Sequence, residues 1–172
     1  MNPFSRFLRL AVLVFASFPA LRADEPAPPA VEAAPAAAWL TDYERALERA
    51  RDEQKPVLLD FTGSDWCVWC HRLRDQILTQ KPFLDYAREH LVLVELDYPR
   101  NTPQSPKLQR QNAALAEKFG VTGYPTLVLV DAEGRELGRT GYMQGGPKTF
   151  VRELKRFAAR TPAGGSPTPA AK

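Results

Sequence analysis

Metal ligands are scarce in this chain of 172 residues, which has two cysteines, two histidines and no second cysteine pair. One Cys-x-x-Cys with two histidines makes a poor tetrahedral set, so no metal site is expected. Long apolar runs are lacking as well. The strongest, Leu10 to Phe18, falls well short of the roughly 20 residues that a membrane-spanning helix needs. Excess charge of either sign is small: 23 Lys and Arg stand against 20 Asp and Glu, a formal net charge of +3. Three of those cations, Arg6, Arg9 and Arg22, lie in the first 23 residues, which contain no acidic residue. Without them the balance is 20 against 20, so nothing points to a basic patch for nucleic acid.

What is present divides the chain. Arg6 and Arg9, the apolar run behind them and the small residues Ala20 and Ala23 have the layout of a secretory signal peptide over residues 1–23. An uncleaved anchor is the alternative. No cysteine lies near the cleavage region, which argues against a lipoprotein. Residues 24–38 are almost all Ala, Pro and acid and read as an extended linker; residues 161–172 read as a disordered tail. One compact domain is expected over residues 39–160.

Within that domain Thr41-Asp42-Tyr43-Glu44 has capping-box spacing, and Tyr43, Ala46, Leu47 and Ala50 follow at helical intervals. Val57 to Phe61 is a short apolar strand that carries one carboxylate, Asp60. A helix over 67–79, a short one from Pro82 to Arg88 and a buried strand from Leu91 to Leu96 come next. After a proline-rich loop, a helix over 107–119 stops at Gly120. Thr126 to Val130 and Arg135 to Thr140 form a hairpin around Asp131-Ala132-Glu133-Gly134, and a last helix spans 147–160. This order predicts an α/β fold whose mixed sheet has a parallel core and an antiparallel edge hairpin, flanked by helices.

Both cysteines stand in Trp66-Cys67-Val68-Trp69-Cys70-His71. Two residues between cysteines at a helix start allow cycling between dithiol and disulfide. The same letters spell Cys-x-x-Cys-His, the attachment motif of c-type haem. Haem would need a second axial ligand, for which His90 and Met143 are nearly the only candidates. The apolar strand running straight into the motif and the α/β order argue against haem. A purely structural disulfide would close a loop of two residues and add little stability. Asp60 is a second candidate, because a carboxylate in an apolar strand is costly unless it has a task or a partner.

The order of elements, the cysteine pair after the first strong strand and Gly123-Tyr124-Pro125-Thr126 opening the hairpin resemble the thioredoxin family over about residues 40–158. Phe61-Thr62-Gly63-Ser64-Asp65-Trp66-Cys67 is similar to the Gly-Ser-x-Trp-Cys approach of its secreted bacterial members. The resemblance implies a thioredoxin fold in which Cys67 is an exposed nucleophile and Cys70 a buried resolving thiol. It also implies that Pro125 is a cis-proline facing the pair and that Asp60, behind Cys70, shuttles its proton. A helix N-terminus favours thiolate at Cys67, and two intervening residues bring the sulfurs within bridging reach. Trp66 is expected to shield the site, Trp69 to offer partners an apolar contact, and the Tyr124 backbone to pair with an extended substrate segment. His71, one turn below Cys67, either tunes the thiolate or faces solvent.

Two departures from the family pattern stand out. Asp60 lies seven residues before Cys67, one more than in typical thioredoxins. Glu95 stands where many members carry a lysine near that carboxylate. The function implied is an exported thiol–disulfide oxidoreductase of a bacterial periplasm or cell envelope. It would act on protein thiols and disulfides with a membrane-bound redox partner, and with no cofactor beyond the Cys67–Cys70 pair. The direction of electron flow stays open. The competing reading is a redox-inert binding or chaperone-like domain on the same fold.

Overall fold

Strands covered on both faces carry apolar residues on both sides of the pleat, and Val57-Leu58-Leu59 and Val92-Leu93-Val94 have that character. In the computed structural model, which describes residues 38–160, the sheet has five strands. They are β1 (Trp39–Leu40), β2 (Val57–Thr62), β3 (Val92–Asp97), β4 (Thr126–Val130) and β5 (Glu136–Thr140), in the order β1-β3-β2-β4-β5. β1 and β2 run parallel to β3, β4 runs antiparallel to β2, and β5 antiparallel to β4. The expected mixed sheet is therefore present, with β2 at its centre. The expected leader, the tail and the linker (except Ala38) lie outside the described residues.

Helices cover both faces. On one, α1 (Tyr43–Glu53) and α4 (Pro106–Lys118) pack over Leu59, Phe61, Val94 and Val128. On the other lie α2 (Val68–Leu73), α3 (Lys81–His90) and α5 (Gly146–Ala158), over Leu58, Leu93, Leu127 and Leu129. Phe61, Phe83 and Phe150 are fully buried, and each such side chain contributes about 1.5–3 kcal/mol by leaving water. Alternation along β2 decides the rest: Leu58, Asp60 and Thr62 share the face toward α2, while Val57, Leu59 and Phe61 share the other.

Three local features differ from the sequence pattern. The cap of α1 is Asp42, not Thr41, because Asp42 directly precedes the first helical residue and its carboxylate accepts the Arg45 N–H at 3.2 Å. The helix expected over 67–79 widens after α2 into a π-helical turn, Arg74–Leu78, where the Thr79 N–H reaches back to the Arg74 carbonyl at 2.9 Å. β1 was not expected at all; two residues carry no readable alternation, and it exists only through pairing with β3.

Candidate active site

The chain leaves the carboxyl end of β2 and turns through Gly63, whose carbonyl accepts the Cys67 N–H at 3.0 Å. Cys67 is the N-cap of α2, and its Sγ lies 3.2 Å from the Cys70 N–H. The two cysteines form a disulfide, with Cα atoms 5.2 Å apart. One expectation changes here. Cys67 is only 6% exposed against 4% for Cys70, because the bond and the Cys70 N–H hold its sulfur against the helix end.

Two carboxylates and their partners shape the approach to the pair. Asp97, at the end of β3, accepts the Ser64 N–H at 2.8 Å and the Ser64 hydroxyl at 2.6 Å. Asp65 accepts three backbone N–H groups, from Arg100, Asn101 and Thr102, at 2.7 to 3.0 Å. These bonds, that from Arg100 first, hold its carboxyl below the usual carboxylate range. The loop after β3 is thereby tied to the loop before Cys67.

Trp66 sits inside this arrangement. Its Nε1–H donates to the Tyr98 carbonyl at 2.8 Å, Arg100 lies 3.8 Å from its ring centre, and Tyr124 meets it edge-on at 5.7 Å. Tyr124 also packs at 5.0 Å from Tyr98, and the Tyr124–Pro125 peptide bond is cis. Trp69 is different: it is 51% exposed, 5.2 Å from the ring of Tyr142, with Arg72 4.6 Å from its own ring centre. Val68 beside it is 61% exposed. His71 is half-buried, and its Nε2 lies 2.7 Å from the Ser64 carbonyl, so it braces the approach loop.

Asp60 points to the same face as Cys70 and is buried, 6% exposed. A cavity of about 210 Å³ is lined by Asp60, Cys70, His71, Arg74 and Glu95 among others. Burial, then the negative charges of Glu95 and Asp97, push the Asp60 carboxyl up to about 8. Glu95 is the parallel-strand neighbour of Asp60 and is itself raised by burial and by Asp97, with Arg74 acting the other way. A redox-active cysteine pair backed by a carboxyl that can gain and lose a proton at mildly alkaline pH is suited to proton-coupled disulfide exchange. No cluster of three or more His, Cys, Asp or Glu able to hold a metal occurs among the described residues.

The structure thus gathers Cys67, Cys70, Asp60, Trp66, Tyr124 and Pro125 around one end of the sheet, with Trp69 on the adjoining surface. Sequence reasoning missed Asp65, Ser64, Asp97 and Arg100. Their partners lie more than 30 residues away, and only the Gly-Ser-Asp-Trp approach hinted that this loop had a shape to keep.

Comparison with known proteins agrees with this geometry. A model of the thioredoxin-like domain matches residues 43–158. The disulfide bond reductase DsbH of Chlamydia pneumoniae is 42% identical over 113 residues, which are 66% of this chain and 68% of that protein. The thioredoxin-related protein DsbJ of the same organism is 34% identical over 103 residues, 60% of this chain but only 30% of its own length. The solved structure of a DsbH oxidoreductase superposes with a TM-score of 0.70 at 37% identity, covering 80% of this chain and 94% of that one. With a disulfide-forming Cys-x-x-Cys at the N-cap of α2, the chain belongs to the thioredoxin-like domain family and is a thiol–disulfide oxidoreductase.

Proposed function

We propose that this oxidoreductase is exported and runs in the reducing direction, on disulfides of other proteins. The observation that carries the reading is the disulfide of Cys67 and Cys70 at a helix N-cap with buried Asp60 on the Cys70 side. The direction draws support from its 42% identity to a protein named as a disulfide bond reductase. Export is read from the leader-like residues 1–23. The Ala/Pro-rich residues 24–38 act as a spacer before the domain.

In the reduced protein the Cys67 thiolate attacks a substrate disulfide. A Cys67–substrate bond forms, the substrate disulfide breaks, and one substrate sulfur leaves as a thiolate that takes a proton from water. Ionised Asp60 then takes the Cys70 proton, the Cys70 thiolate attacks the Cys67 sulfur, and the second substrate sulfur leaves as a thiolate that takes a proton from water. Two electrons have moved to the substrate and the Cys67–Cys70 disulfide is restored. Trp66, Tyr124 and Pro125 border the sulfurs on the substrate side, and Trp69 meets the substrate surface. The two electrons pass from the Cys67 and Cys70 sulfurs to the two substrate sulfurs, so the scheme needs no nucleotide, flavin or metal. A membrane-bound thiol protein of the envelope must re-reduce the pair.

The test is the equilibrium redox potential against glutathione, with Cys67→Ser as the control that cannot cycle. A value near about −270 mV supports a reductase, whereas one near about −120 mV overturns the direction in favour of an oxidase. A pair that cannot be cycled in this range would leave only the redox-inert binding domain.

A further inference from the structure

The cavity behind Cys70 contains more acid than a single proton acceptor requires. Asp60 on β2 and Glu95 on β3 are register partners in parallel strands, so their side chains leave the sheet on the same face. Both line the cavity, together with Cys70. The Oδ1 of Asp60 is buried with no hydrogen-bond partner among the described residues. Glu95 is less buried than Asp60, and no cation lies within ion-pairing distance of it among the described residues. The guanidinium of Arg74, whose charge favours ionised Glu95, is engaged with Asp75 at 3.0 Å.

We propose that Glu95 is the outer member of a two-carboxylate proton relay: it sets the proton affinity of Asp60 and carries the Asp60 proton between the cavity and solvent. The inference rests on the reading of Asp60 as the group that deprotonates Cys70. Glu95 acts through Asp60 and is therefore a positioning residue, not a catalytic one.

Chemistry favours this arrangement over an isolated aspartate. Transfer from Cys70 leaves a neutral Asp60 in a site 6% exposed, and the next turnover requires that proton to leave. A cavity of about 210 Å³ is large enough for several water molecules, since each takes about 30 Å³ in the liquid. Water there would join Asp60 to the half-buried Glu95. Two carboxylates facing one cavity cannot both ionise freely, so they titrate as a coupled pair. The other charged or titratable groups around Asp60 are Asp97 on β3, His71 on α2, Arg74 in the π-helical turn and Cys70 itself. His71 is engaged by the Ser64 carbonyl and Asp97 by Ser64, which leaves Glu95 as the carboxylate available for exchange.

The experiment uses the mature chain with four variants, Glu95→Gln, Glu95→Lys, Asp60→Asn and the Asp60→Asn/Glu95→Gln double variant. Two quantities are followed from pH 5 to 10: the infrared carboxyl band of Asp60 in the oxidised protein, and the rate of reduction of a peptide disulfide. Removing the Glu95 charge makes Asp60 easier to ionise. The Asp60 midpoint should therefore fall by on the order of one pH unit in Glu95→Gln, and further in Glu95→Lys, with the acid limb of the rate, on which Asp60 gains its proton and stops acting as a base, following it. In the Asp60→Asn background Glu95→Gln should shift nothing. If Asp60→Asn removes the limb but neither Glu95 variant moves the Asp60 midpoint, the relay is overturned and the Asp60 reading stands. If Asp60→Asn leaves the limb in place, both are overturned.

Discussion

Trp66 occupies the space that a Cβ on Gly63 would need: such an atom would lie 2.5 Å from Cε2 of the indole. The approach to Cys67 is thus shaped by a missing side chain. Gly63→Ala must displace the indole, and with it the bond to the Tyr98 carbonyl and the contacts with Arg100 and Tyr124. Overpacking of this kind costs about 1–3 kcal/mol. Denaturant unfolding of the oxidised variant should show that loss, together with slower disulfide reduction. Wild-type stability in Gly63→Ala would mean that the indole has room to move.

Much of this site could be read before any coordinates. A carboxylate inside an apolar strand, a cysteine pair at the following helix start and Tyr124-Pro125 ahead of a hairpin are local features, and each names its element. What could not be read depends on register or on distant pairing. That Asp60 faces Glu95 follows from the alignment of β2 with β3, and a slip of one residue would reverse it. Asp65 reaches residues 100–102 across a turn, a strand and two helices. The π-helical turn keeps the apolar spacing of a helix through Leu73, Ile77 and Leu78, so the sequence does not betray the wider turn that carries Arg74 at the cavity.

Asp60 should make the protein less stable as pH rises. Unfolded, it loses its proton near the ordinary value of 3.8; folded, it holds the proton up to about 8. Between these values only the folded state keeps the proton, so this group lowers folding stability progressively from about pH 4 to about pH 8 and no further above. Asp60→Asn removes the effect. The oxidised variant should be more stable than wild type by on the order of 2–4 kcal/mol at pH 7.5 and about equal to it at pH 4. Urea unfolding at the two pH values checks this. A stability difference that does not change with pH would show that Asp60 is not held neutral.

Asp65 should govern the order of the loop after β3. Its carboxylate receives the N–H groups of Arg100, Asn101 and Thr102, and Arg100 in turn lies over Trp66. Asp65→Ala frees those amides to exchange with solvent. Hydrogen exchange should accelerate at residues 100–102 and leave the strand amides of β2 and β3 unchanged. Disulfide reduction should slow in parallel, because Trp66 loses a neighbour. Unchanged exchange at residues 100–102 would count against the clamp.

Trp69 should matter for protein substrates and little for the fold. Half of it is exposed; of its neighbours Arg72 is exposed and Tyr142 is half-buried at the edge of the core. A cation over an exposed ring contributes only about 0.5–1 kcal/mol, so Trp69→Ala should unfold close to wild type. A tryptophan anchoring a partner commonly accounts for about 1.4 kcal/mol or more of binding, equivalent to about tenfold or more in kcat/KM. A small aromatic disulfide such as dithiobis-nitrobenzoate needs no such surface. The variant should therefore lose about tenfold in kcat/KM with a protein disulfide and keep its rate with the small one. Equal losses on both would place the effect of Trp69 on the reactivity of the cysteines, whereas loss on the protein alone makes the indole a contact for the substrate chain.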